Sequence, residues 1–176
     1  PIGARLRATD VVERGLALAA RGLALAGRAD VELARADLVD GAGPGWRLIT
    51  MNAPIPAAAD LTTATSRWHR SIEDLVPRLW QAAPALVTAD GEVLVHGVDD
   101  DDDGAWAPPP AAGGTVAIAR YGPAGRGFAI TRWRPHGRDH RRRGMVALGP
   151  GHPYVTRADL DAIEGGGDPH PALDLR

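Results

Sequence analysis

Apolar positions along this chain recur with two periods, and the first stretch is helical. Residues 14–27 read RGLALAARGLALAG, one apolar heptad written twice. At 100° per residue, Val12, Leu16 and Leu23 share one face, and Val11, Leu18 and Leu25 lie nearly opposite. Gly15, Ala19, Gly22 and Ala26 form a small-residue ridge between those faces, leaving a narrow polar strip with Glu13, Arg14 and Arg21. Asp10, with Glu13 three residues on, marks the start, and Gly27 marks the stop, so a helix is predicted over residues 10–26. Two apolar faces predict cover on two sides, from the chain's own elements or from a partner meeting the ridge of Gly15, Ala19, Gly22 and Ala26.

Beyond Gly27 the period shortens to two. Runs over 31–38 and 46–51 flank the turn cluster DGAGPG and predict an antiparallel hairpin. A second helix is predicted over 62–82, where Leu61, Ala64, Trp68, Ile72, Leu75 and Leu79 share a face, with Pro77 kinking or splitting it. The segment ALVTADGEVLVHGV predicts a second hairpin turning at Ala89-Asp90-Gly91, and TVAIARYGPAGRGFAITRW a third turning over 122–127. Two charged loops follow hairpins two and three, then a short strand, MVALG. Thr156 with Asp159 forms a capping box for a short C-terminal helix ending near Glu164. The expected fold is therefore α+β: an antiparallel sheet built from three hairpins, packed by helices 10–26 and 62–82 and the short C-terminal one. A single domain is expected over 1–165, with a loose Gly/Pro-rich tail over 166–176.

Composition adds mostly exclusions. The net charge of −2 offers no global attraction to nucleic acid or to a membrane. No apolar run reaches the roughly 18 residues of a spanning helix, and the first residues lack a signal core, so no membrane partner and a cytoplasmic location are expected. Every basic residue is Arg, so Schiff-base and phosphate-loop lysines are excluded, and the absence of Cys removes thiolate chemistry. Such uniform Arg usage reads as codon bias, which weakens the inference that any one arginine is chosen for its chemistry. Ser66 and Ser71, the two serines, sit inside the second predicted helix and outside any nucleophile elbow.

Four constellations remain. Arg132, Trp133, Arg134, Arg138, Arg141, Arg142 and Arg143 make a basic, Trp-flanked segment fit for phosphate or single-stranded nucleic acid, or else a solvated loop facing the acidic run 99–103. His136, Asp139, His140 and His152 carry metal-ligand chemistry, opposed by the arginines around them and by Pro135 and Gly137. The acidic run has oxygen ligands without the alternate spacing of a calcium loop. His69 and Glu73, four apart on the second helix, suit a proton-handling pair or a surface contact.

The expectation from these residues is a non-catalytic binding or assembly module acting through protein–protein contacts, either with itself or with a partner. No cofactor is expected and no catalytic residue is assigned. One alternative is a nucleic-acid or phosphate-ligand binder acting through 132–143. Another is a small enzyme using His136, Asp139 and His140.

Overall fold

A computed structural model describes residues 4–52, 72–98, 106–122 and 127–169. They form two units, residues 1–43 and 44–176. The class is α+β as expected, but the sheet is not the three-hairpin antiparallel one.

The first unit is a strand–helix–strand. Strand β1 (Leu6–Asp10) and strand β2 (Val31–Arg35) pair in parallel, from Leu6 opposite Val31 to Asp10 opposite Arg35. Helix α1 (Glu13–Leu25) supplies the crossover that parallel neighbours require. Gly27, at φ 67°, takes the left-handed stop position, and Arg28 N–H donates back to Leu23 O at 2.8 Å. The helix begins later than expected. Its N-cap is Val12, and Asp10 closes β1 instead. Val12, Leu16 and Leu23 are half-buried, whereas Leu18 is 59% and Leu25 91% exposed. One apolar face is thus partly covered and the opposite one is not.

The second unit is built on a five-stranded sheet, β3-β4-β6-β5-β7. Its strands are β3 (Trp46–Asn52), β4 (Val87–Val98), β5 (Thr115–Tyr121), β6 (Phe128–Arg134) and β7 (His140–Met145). β3 pairs in parallel with β4 and β5 with β7, while β6 lies antiparallel to both β4 and β5. Four strands therefore run one way and β6 alone is reversed. Of the three predicted hairpins only β5–β6 exists. The segments placed in the first hairpin belong to different sheets. The second is one strand, β4, whose Ala89-Asp90-Gly91 stretch forms a bulge: pairing jumps from Trp46–Val87 to Leu48–Glu92. A Cβ on Gly91 would stand 2.9 Å from Trp46 O, so the bulge depends on glycine.

Alternation along the strands assigns the faces. Helix α2 (Ile72–Leu86) buries Val76, Leu79, Trp80, Ala83 and Leu86. This stripe sits one residue round from the predicted one and continues through Pro77 and Pro84. Trp80 meets Trp133 of β6 edge-on at 6.3 Å. On the opposite face, helix α3 (Arg157–Gly165) packs Leu160 and Ile163 on Ala117, Ala119 and Val146. The capping box of Thr156 and Asp159 is present as expected, with Gly166 left-handed at the far end. With both faces covered, Thr115–Ala119 is buried at every position, the pattern of a strand in a two-sided sheet.

Candidate active site

Because β3, β4 and β5 point the same way, their carboxyl ends gather at one edge of the sheet, where β6 begins. In sheets dominated by parallel strands, ligands bind beyond that edge. Register places Asn52 opposite His96, and Tyr121 opposite Phe128. The two-residue period puts all four side chains on the face that carries α3.

Their contacts are specific. His96 Nδ1 lies 2.8 Å from Asn52 Oδ1, and His96 Nε2 lies 2.7 Å from the Tyr121 hydroxyl. An amide oxygen only accepts, so Nδ1 carries the proton and donates to Asn52, leaving Nε2 to accept the Tyr121 O–H. Burial disfavours charge on both partners: it holds His96 below the ordinary imidazole value and pushes the Tyr121 phenol up. At neutral pH the site therefore contains a neutral imidazole with its basic nitrogen aimed at an un-ionised phenol. Phe128 stacks on His96 at 5.5 Å and lies tilted against Tyr121 at 5.8 Å.

Sequence reasoning missed this cluster. His96 and Tyr121 are 25 residues apart and each reads as an ordinary strand residue. The available signal was Asn52, the chain's lone asparagine, standing at the end of an apolar run.

In the first unit, Asp10 occupies the corresponding carboxyl end of β1. Its Oδ1 accepts the Val12 N–H at 2.7 Å. A Cβ on Gly15 would fall 2.6 Å from Asp10 Oδ2, so glycine there admits the carboxylate against the first turn of α1. Thr9 Oγ1 donates to Leu38 O at 2.8 Å, bracing the turn after β2, where Leu38 holds φ 57°.

The residues singled out from sequence are dispersed. In α1, Gly15 is half-buried beside Asp10, and Ala19, Gly22 and Ala26 are exposed. The basic segment is not one loop. Arg132 and Trp133 lie inside β6, both 1% exposed, and Arg141, Arg142 and Arg143 belong to edge strand β7. Arg132 is bound by Asp161 at 2.7 Å and Glu164 at 2.5 Å, and Arg134 by the same two residues at 3.3 Å. Trp133 Nε1 donates to Gly113 O, and Arg141 to Pro108 O. Arg138 sits exposed in the turn before β7. Of the metal-type residues, His140 Nε2 meets Glu164 O at 3.2 Å and His152 Nε2 meets Asp159 at 2.9 Å. His136 and Asp139 are exposed in the turn. Among the described residues no three His, Asp or Glu side chains gather as metal ligands. Burial opposes charge on Asp159, but the Thr156 N–H, the Thr156 hydroxyl and His152 together bring it below the usual carboxylate range. The acidic run 99–103, His69, Ser66 and Ser71 lie outside the described residues.

No protein-family model matches the chain, and no curated protein matches it. Among solved structures it is similar to a crystal structure described as a predicted O-methyltransferase from Agrobacterium tumefaciens. Identity is 15% and the TM-score 0.55, and the match covers 94% of this chain and 79% of the other. The likeness is one of fold. It corrects the expectation of a non-catalytic binding or assembly module, because the fold is similar to that of a protein described as a predicted enzyme. No helix among the described residues is long and apolar enough to cross a membrane.

Proposed function

We propose that the protein is a small-molecule methyltransferase that deprotonates an acceptor hydroxyl through His96. The observation that carries this reading is the Asn52–His96–Tyr121 hydrogen-bonded chain at the carboxyl edge of a sheet shared with a predicted O-methyltransferase. The acceptor hydroxyl donates to the Tyr121 oxygen while the Tyr121 proton passes to His96 Nε2. Asn52 Oδ1 holds Nδ1–H and stabilises the imidazolium that forms. Burial of His96 suits it to the role, since it rests neutral and able to accept a proton at pH 7.

A nucleoside methyl donor such as S-adenosylmethionine supplies an electrophilic methyl group when bound. The test is transfer from S-adenosylmethionine to a panel of small hydroxyl compounds, followed by mass spectrometry. His96→Ala is expected to lower kcat by about 10²–10⁴, the usual contribution of a positioned base. An undiminished rate in that variant removes the assignment.

A further inference from the structure

Resting on that reading, we infer that the acceptor is a planar aromatic hydroxyl compound, a phenol or fused-ring analogue, stacked on Phe128 with its hydroxyl at Tyr121. The first support is geometric. His96, Tyr121 and Phe128 form one aromatic surface, with interplanar angles of 13°, 30° and 30° and centroids 5.5–6.1 Å apart. Phe128, the outer member, is 37% exposed. A flat ring laid against it gains offset stacking that a puckered or flexible acceptor does not. Stacking there also brings a ring substituent towards the polar row of Tyr121, His96 and Asn52, which lies on the same face of the sheet.

The second support is acidity. A phenol ionises near pH 10, whereas an aliphatic hydroxyl is about as weak an acid as water. A neutral imidazole is a mild base, and its proton affinity is matched far better to the phenol. Tyr121, itself a phenol, relays a proton between groups of similar acidity only when the acceptor is also phenolic.

The experiment measures binding of 2-naphthol and of its saturated analogue, decahydro-2-naphthol, to the full chain by calorimetry, without methyl donor. The expected result is that 2-naphthol binds at least about tenfold more tightly. Phe128→Leu is expected to weaken 2-naphthol binding about fivefold, and Phe128→Tyr to retain it, which separates loss of the ring from loss of the fold. Equal affinity for the two compounds, or full affinity in Phe128→Leu, overturns the inference. The transferase reading fails separately. Ring-selective, Phe128-dependent binding without methyl transfer to any acceptor upholds the stacking surface and removes the activity. His96-dependent methylation of decahydro-2-naphthol at the same efficiency as 2-naphthol does the reverse.

Discussion

Gly97→Ala is the sharpest test of how the second unit is packed. Gly97 lies on β4 next to His96 but on the opposite face, where the indole of Trp106 covers its backbone. A Cβ at Gly97 would stand 2.2, 2.3 and 2.6 Å from three carbons of that ring. Ordinary carbon contacts begin near 3.5 Å, so the indole must retreat by about 1 Å or more. Trp106 is 4% exposed and bounded by other core residues, and a rigid bicyclic ring has no rotamer that yields part of itself. Overpacking of this kind costs about 1–3 kcal/mol, and partial expulsion of a tryptophan adds to it, so about 3 kcal/mol is expected. Urea unfolding followed by tryptophan fluorescence should show a lower midpoint at unchanged slope. In a Trp106→Ala background the same substitution should cost less than about 1 kcal/mol, a coupling of about 2 kcal/mol. A Gly97→Ala protein as stable as the parent, or one whose loss is the same with and without Trp106, refutes the packing described for this face.

Three further outcomes follow from the same structure. The stability contributed by neutral His96 is present above its unfolded pKa of about 6.5 and is lost as pH falls through its lowered folded value, because the unfolded chain takes up the proton first. Melting temperatures of the parent and His96→Gln should therefore converge between about pH 7 and pH 5, and parallel profiles contradict the burial of the ring. Thr156→Ala removes the side-chain acceptor for the Asp159 N–H and half of the capping box, for an expected loss of about 1 kcal/mol by chemical denaturation. Arg132→Met leaves Glu164 and Asp161 facing an apolar side chain. Since Asp161 is half exposed and Arg134 still reaches both, a loss of about 2 kcal/mol is expected, and an unchanged unfolding midpoint would mean the pairs are held without net stabilisation.

The reading from sequence succeeded where a signal is local. Gly27 ends α1 because a left-handed position favours glycine. Thr156 and Asp159 cap α3 because both partners lie within one turn. The β5–β6 hairpin joins segments separated by a few turn residues. Failures came where direction or distance entered. Period-two alternation reports that a strand has two faces and is silent on whether its neighbour runs parallel. The segments 31–38 and 46–51 therefore read as a hairpin, although the first pairs with β1 and the second with β4. The uninterrupted burial of Thr115–Ala119 is prefigured in the apolar run VAIA, which was the available hint of a sheet covered on both sides. The arginines of 132–143 are alike by type, yet Arg132 lies inside β6 and is buried, whereas Arg138 sits in the turn before β7 and is exposed.

By itself, then, the amino-acid order determined the stop of α1, the cap of α3, the α+β class and the exclusion of lysine and thiol chemistry, because each rests on residue identity or on neighbours within a turn. Tertiary structure alone decided strand direction, and with it the edge at which Asn52, His96 and Tyr121 meet. Their hydrogen bonds span 44 and 25 residues. Such contacts depend on the register of a whole sheet, a collective choice of many weak pairings that no short window of sequence contains.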